Sequence, residues 1–210
     1  MVELPFNLQG FIFQSGLDAL EAGLKTTLTA LANELNRIKE ERVAYEEAST
    51  QGGEWIGECD DDGYVLWDQS RLLSMQAEAA CTALMDAKKA FVIAVYHYWE
   101  RSALNFIGKG LAGHENLENE VRKFCYQIDP KLKAVCWLVN TLKHNNERYG
   151  SKLRNVWPEV INSGIREAIH ADWYGSIHLS DEQVFEVLAV IRNSGPTSSS
   201  AWNRQQHGSG

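Results

Sequence analysis

Apolar residues recur at helical spacing through the first quarter of the chain. They are Leu17, Leu20, Leu24, Leu28, Leu31, Leu35 and Ile38. Successive members are three or four residues apart, which places them on one face of an α-helix. The pattern therefore predicts a long helix from about Ser15 to about Ala48, with Ser15 as its amino-terminal cap.

A second long helix is predicted from about Trp67 to about Phe106, a stretch without Pro or Gly that is rich in Ala, Leu and Met. Its second half is apolar nearly all round, which is typical of a helix in the middle of a bundle. The glycine-rich and acidic segment before it predicts a loop or a small hairpin. Asp60, Asp61 and Asp62 are adjacent rather than alternating, so a solvated acidic turn is favoured over a calcium loop.

Three shorter helices complete the predicted fold. One runs from about Leu117 to Ile128, and the next begins at Asp129-Pro130 and ends near Tyr149. After an irregular stretch, Ser180 and Gln183 form a capping box that opens the last helix. The fold class is all-α, a bundle of four or five helices with two long antiparallel helices. Residues 1–193 are expected to form one domain, and residues 194–210 a disordered tail that ends in Gly-Ser-Gly.

Composition adds constraints without changing this fold. The 210 residues carry a net charge of −8, which disfavours nucleic acid and anionic membranes unless a local patch is basic. No run approaches the roughly 18 apolar residues that a membrane helix needs. The four cysteines are scattered and the first residues lack the features of an export signal, so we expect a reduced, cytoplasmic protein.

The helix predicted after Pro130 has two different faces. Leu132, Val135, Val139 and Leu142 form its core stripe. The opposite side carries Lys133, Trp137, Asn140, His144 and Arg148. A Trp opposite the core stripe requires a second burial surface, either another helix of this chain or a second copy of the protein.

Charge is unevenly distributed around this helix. Between Lys131 and Arg154 the chain has six basic residues and one acidic residue, a net charge of +5. Such a patch in an otherwise acidic protein is typical of an anion-binding site. An ordinary solvated or internally hydrogen-bonded helix face gives the same spacing and stays open as an alternative.

The other histidines do not suggest chemistry. His97 lies in the apolar helix and is expected to be a core histidine, whereas His114, His170 and His178 lack the spacing of metal ligands. We therefore expect neither a metal site nor a cofactor.

The segment VNTLKHNNERYGSKL resembles the HEPN superfamily, small helical-bundle proteins common in bacterial toxin–antitoxin and anti-phage systems. The family's motif is an Arg, often followed by Asn, with a His four to six residues after the Arg. Asn140 and His144 match the Asn and His positions, and Lys143 fits a frequent variant. Val139 stands where the family has Arg. Ser151, Leu153, Pro158 and the capped last helix also fit one HEPN-like subgroup, so that the resemblance spans roughly residues 80 to 193.

The resemblance implies a metal-independent endoribonuclease in which His144 moves protons, Asn140 orients the phosphate, and Lys143 or Arg148 replaces the absent Arg. It implies RNA contacts and a site that two protomers share, with Trp137 in the homodimer interface. The cations expected to bind RNA are Arg148, Lys133, Lys152 and Arg154.

The absent Arg leaves three interpretations open. The first is this ribonuclease, and the second is a non-catalytic descendant that binds RNA or a partner protein inside a defence or antitoxin complex. The third is a purely structural helical protein.

Overall fold

The computed structural model describes residues 6–108, 113–162 and 172–199. The prediction of a largely all-α protein with two long helices is confirmed. The described part has helices α1 (Leu8–Thr50), α2 (Gln69–Ile107), α3 (His114–Lys123), α4 (Leu132–His144), α5 (Glu147–Val156), α6 (Trp173–Ser176) and α7 (Asp181–Arg192). A 3₁₀ turn covers Pro158–Val160, and two short strands, β1 (Gly57–Cys59) and β2 (Val65–Asp68), pair antiparallel between α1 and α2.

The chain divides into two compact units. The first comprises residues 1–23 and 88–210, and the second comprises residues 24–87. The second unit holds 13 acidic and 5 basic side chains, a net charge of −8, whereas the first holds 15 of each and is formally neutral. The whole net charge of the chain therefore resides in the second unit.

Helices α1 and α2 run antiparallel and contact each other in both units. In the first unit, the hydroxyl of Tyr98 donates to the carbonyl oxygen of Phe13 at 3.1 Å, and the two rings stack with centroids 5.8 Å apart. In the second unit, the hydroxyl of Ser70 donates to the Glu46 carboxylate at 3.2 Å. In the first unit the beginning of α1 contacts the end of α2. In the second unit the end of α1 contacts the beginning of α2.

Helix α1 begins two turns before the predicted cap. The Asn7 side chain is buried, and its Oδ1 accepts the backbone N–H of Gly10 at 3.0 Å, as an amino-terminal cap does. The predicted cap, Ser15, therefore lies inside the helix. The predicted apolar stripe begins later than the helix. In the first turns of α1 the side chains of Phe11 and Ile12 are exposed.

The connection between α1 and α2 is a hairpin, one of the two alternatives that the sequence left open. Asp60 organises its turn, because Oδ1 accepts the backbone N–H groups of Asp62 at 3.1 Å and Tyr64 at 2.8 Å. Gly63 in this turn has φ +85°, a conformation that glycine adopts without strain. This geometry gives Asp60 a structural role in the hairpin turn.

The core of the first unit contains the predicted stripe of α4. Leu132, Val135, Val139 and Leu142 are all buried. The predicted capping box of the last helix is also confirmed, with Ser180 Oγ accepting the N–H of Gln183 and the Gln183 side chain accepting the N–H of Ser180. Helix α3 differs from the prediction and ends at Lys123, because Cys125 adopts a positive φ of 61° that an α-helix does not contain.

Residues 194–199 differ from the predicted disordered tail. Ser194 is fully buried, its hydroxyl donates to the carbonyl oxygen of Val190 at 2.7 Å, and its own carbonyl oxygen accepts the indole N–H of Trp99. Residues 200–210 of the predicted tail lie outside the described residues. Nowhere in the described ranges does a helix combine the length and apolar character that crossing a membrane requires.

Candidate functional site

The helix predicted to run from Pro130 to Tyr149 is broken at Asn145. This residue adopts the left-handed conformation, with φ 44° and ψ 50°, and its N–H donates to the carbonyl oxygen of Thr141. Its side chain is fixed on both sides, since Nδ2 donates to Asp172 at 3.1 Å and Oδ1 accepts the N–H of Tyr174 at 2.8 Å. Asn146 then caps α5. The single polar face expected across this region is therefore divided between two helices.

Tyr149 brings the separated residues together again. His144 is the last residue of α4, and its ring centroid lies 5.6 Å from that of Tyr149. Arg148, in the first turn of α5, places its guanidinium carbon 5.6 Å from the same centroid. Both groups thus lie near one aromatic ring, although the helix that was predicted to align them ends between them.

Three of the six basic side chains between Lys131 and Arg154 interact with other side chains of the protein. Lys131 pairs with Glu186 at 2.6 Å, and Lys133 pairs with Glu115 at 3.0 Å. The hydrogen bond from Lys133 lowers the pKa of the Glu115 carboxyl, so this carboxyl is ionised at neutral pH. Arg154 stacks its guanidinium 4.9 Å from the centre of the Trp173 ring. These contacts favour a structural role over the predicted RNA contacts of Lys133 and Arg154.

The other three cations face solvent. Lys143, Arg148 and Lys152 are exposed, and none of them forms an ion pair with another residue of the described ranges. His144 is exposed beside Lys143 at the end of α4. The basic surface available to an anion is therefore Lys143, His144, Arg148 and Lys152, which we call the α4–α5 surface.

Val139, which stands at the Arg position of the motif that the sequence resembles, is buried at 1% exposure. An Arg at this position would have to leave the core of α4 to meet a phosphate. The exposed cations near this helix are those of the α4–α5 surface.

Asn140 is engaged with its own helix. Its Nδ2 donates to the carbonyl oxygen of Cys136 at 2.9 Å and lies 3.3 Å from the Cys136 sulfur. The amide N–H groups are therefore directed at Cys136, and donation to a phosphate would require these bonds to break. Oδ1 has no hydrogen-bond partner among the residues that the structure describes, so it is an available acceptor.

A cavity of about 530 Å³ lies next to the α4–α5 surface. Its walls come from α2, the start of α3, α4 and α5. The lining residues are Tyr96, Glu100, Gly113, His114, Glu115, Asn116, Lys133, Cys136, Trp137, Asn140, Arg148 and Tyr149. The predicted residues Lys133, Trp137, Asn140 and Arg148 line this cavity, whereas Lys143, His144, Lys152 and Arg154 do not. Trp137 is half-buried, and its ring lies 5.6 Å from the Lys133 ammonium.

Tyr96 and His114 form a buried pair in the cavity wall, with the Tyr96 hydroxyl 2.9 Å from His114 Nδ1. Burial raises the pKa of the Tyr96 phenol far above its ordinary value, and the neighbouring Cys136 and Glu100 raise it further. Burial lowers the pKa of His114, although Glu118 and Glu100 oppose the shift. Both groups are consequently neutral at pH 7.

Nothing in the sequence pattern predicts the contact between Tyr96 and His114. Tyr96 reads as part of an apolar helix, and His114 falls in a predicted loop, whereas it is the first residue of α3. The two lie 18 residues apart and meet only because α3 packs on α2. The expectation for His97 was wrong, since its side chain is 44% exposed and its Nδ1 lies 2.6 Å from Glu100. His170 lies outside the described residues.

Metal ligands are not grouped in the described ranges, where no set of three or more His, Cys, Asp or Glu side chains is arranged to hold an ion. Comparison of the chain with protein-family models, curated proteins and solved structures finds no match.

Proposed function

We propose that the chain is a HEPN-like RNA-binding protein that cleaves RNA without a metal ion, acting within a bacterial toxin–antitoxin or anti-phage system. The observation that carries the proposal is the meeting of His144 and Arg148 at Tyr149, each 5.6 Å from its ring. This arrangement places a group that can transfer a proton near an exposed cation. That cation would take the role of the Arg that the HEPN motif has and this chain lacks.

The proposed reaction is internal transesterification of RNA. The 2′-oxygen attacks the adjacent phosphorus and loses its proton, the bond from phosphorus to the 5′-oxygen breaks, and that leaving oxygen gains a proton. His144 accepts or donates one of these protons. Arg148 and Lys143 stabilise the additional negative charge on the phosphate oxygens. The products are a 2′,3′-cyclic phosphate and a free 5′-hydroxyl.

Binding is tested by the salt dependence of affinity for a labelled single-stranded RNA. Lys143→Glu and Arg148→Glu should each weaken binding and reduce the slope of log affinity against log salt by about one or more, because a phosphate contact is lost. Lys39→Glu is the matched control, since Lys39 is an exposed cation in the acidic unit and should leave affinity nearly unchanged. Unchanged affinity in both test variants would reject the RNA proposal.

Cleavage is tested separately from binding. Wild type should cut RNA in the presence of EDTA, and His144→Ala should bind RNA normally but not cut it. Replacing the 2′-hydroxyl by hydrogen at every position should abolish cleavage and spare binding, because the attacking oxygen is then absent. RNA binding without cleavage would reject the ribonuclease and leave the non-catalytic RNA-binding protein, the second interpretation of the sequence.

A protein-interaction module is the second candidate function, and the hairpin favours it. Tyr64 is 72% and Leu66 56% exposed, and Trp55, Ile56 and Val65 beside them are also exposed. Clustered exposed apolar residues are typical of a surface that binds a partner. If the charge reversals leave RNA affinity unchanged, the interaction module is the function that remains.

A further inference from the structure

Most of the cavity lies outside the α4–α5 surface, since Lys143, His144 and Lys152 do not line it. Its volume of about 530 Å³ falls within the range of roughly 300 to 1,000 Å³ that small-molecule sites occupy. Arg148 and Tyr149 both line the cavity. Arg148 belongs to the α4–α5 surface, and the Tyr149 ring contacts His144 of that surface. A ligand held through phosphate at that surface would therefore reach the mouth of the cavity with the groups next to the phosphate.

The balanced charges of the lining favour a neutral occupant. Glu100 and Glu115 oppose Lys133 and Arg148, and the lowered pKa of His114 keeps it neutral. The formal sum is zero, and Lys133 is already paired with Glu115. A phosphate would have to approach two carboxylates inside the cavity, whereas a neutral polar group would not be repelled.

The remaining walls suit a flat heterocycle. Trp137 and Tyr149 provide aromatic surface on which a planar ring can stack. Asn140 offers an amide oxygen that accepts a hydrogen bond, because its N–H groups are directed at Cys136. An acceptor in a fixed position is complementary to the ring N–H or exocyclic amino group of a nucleobase.

His114 shapes the cavity wall without donating into the cavity. Its side chain is only 10% exposed, and its buried Nε2 lies 3.5 Å from the Glu118 carboxylate, which does not line the cavity. A carboxylate can only accept, so the proton belongs on Nε2 while Nδ1 accepts from Tyr96. The recognition of a base in the cavity therefore rests on the Asn140 amide oxygen.

We propose that the cavity receives one unpaired nucleobase of the bound RNA, stacked on Tyr149 and hydrogen-bonded by the Asn140 amide oxygen. This inference rests on the proposed function and adds base recognition to phosphate binding. The base must be unpaired, because a base in a duplex is stacked and paired and cannot enter the cavity.

The experiment compares two short single-stranded RNAs with identical backbones, one intact and one abasic at every position. Wild type should bind the intact RNA about ten- to a hundredfold more tightly, the range that stacking and hydrogen bonding of one base provide. Tyr149→Ala and Asn140→Leu should each reduce this preference, and Asn140→Leu retains the size of the side chain. Trp55→Ala, which removes an exposed Trp that does not line the cavity, should keep it.

The outcomes separate this inference from the proposed function. Equal binding of both RNAs by wild type, with affinity still lowered by Lys143→Glu, would overturn the base site and leave the phosphate site standing. Absence of binding to either RNA would overturn both. A preference for intact RNA that persists in Tyr149→Ala and Asn140→Leu, each verified as folded by its thermal melt, would also overturn the base site.

Discussion

Asn145 is the residue that decides where the candidate site lies. Its left-handed backbone ends α4 directly after His144, and its side chain ties this end to Asp172 and Tyr174. Asn adopts this conformation at lower cost than other residues with a β-carbon, and glycine adopts it at lower cost still. The position is therefore constrained by its backbone as well as by its hydrogen bonds.

Two substitutions separate these constraints. Asn145→Gly and Asn145→Ala both lose the side-chain hydrogen bonds, but only Ala adds strain at positive φ. We expect Asn145→Ala to be less stable than Asn145→Gly by about 1 kcal/mol, measured by urea denaturation. Equal free energies of unfolding would show that the backbone conformation changes when the side chain is removed.

His114 gives the protein a dependence of stability on pH. Burial lowers its pKa in the folded state, so between that pKa and the unfolded value of about 6.5 the unfolded chain binds more protons. The contribution of His114 is therefore greatest at neutral pH and is lost as pH falls through about 6.5 toward the folded pKa. His114→Gln should flatten the free energy of unfolding measured between pH 7.5 and 5.5.

The control for this titration is His178→Gln, which changes an exposed histidine. It should leave the pH dependence of wild type intact. An equal flattening in both variants would mean that the slope does not come from the buried Tyr96–His114 pair.

Part of the geometry of the candidate site was predictable from the sequence. The exposed position of His144 and the core position of Val139 follow from helical spacing. The engagement of Lys131, Lys133 and Arg154 could not be predicted, because their partners Glu186, Glu115 and Trp173 come from other elements. Local charge counts cannot distinguish a free cation from one that is neutralised by folding.

Among the elements, α5 lies largely where the glycine and proline content predicts an irregular stretch. Gly150 lies in its first half and is buried against Trp173, where an added β-carbon would come within 2.2 Å of the indole. The glycine that suggested irregular structure is thus required by close packing between α5 and α6. Asn145 ends α4 and Asn146 caps α5. The polar character of these two residues alone is equally compatible with a solvated helix face.

Paired substitutions test this explanation. Gly23→Ala in α1 meets no atom within 4 Å and should stabilise the protein by about 0.5 to 1 kcal/mol, the helix propensity difference. Gly150→Ala gains the same propensity but forces the Trp173 ring to move, and we expect net destabilisation in thermal melts. Stabilisation by both changes would show that the α5–α6 contact is loose.

The long helices and the last helix were predictable because each depends on local information. Apolar periodicity defined α1, the absence of helix breakers defined α2, and one capping box defined α7. The division of the chain into two units carries no comparable local signal, since each of the two long helices passes through both.

At the scale of the whole molecule, the shared site that the HEPN resemblance implies would require two protomers. The half-buried Trp137 would complete its burial in the dimer seam, so light scattering should give the mass of a dimer. Trp137→Glu should then give a folded monomer with unchanged circular dichroism, because a charge in a desolvated seam is unfavourable. A wild type that stays monomeric at high concentration would contradict the shared site, although RNA binding by one protomer would still be open to test.

The concentration of net charge in residues 24–87 has a consequence for the kinetics of encounter. At 0.15 M salt the Debye length is about 8 Å, so an approaching phosphate senses mainly the cations nearest to it. At 0.01 M the length is about 30 Å, and the net charge of −8 on the whole chain then repels the RNA as well. Dilute buffer accelerates association for most nucleic-acid-binding proteins, but here the association rate should pass through a maximum at intermediate salt, which stopped-flow fluorescence can detect.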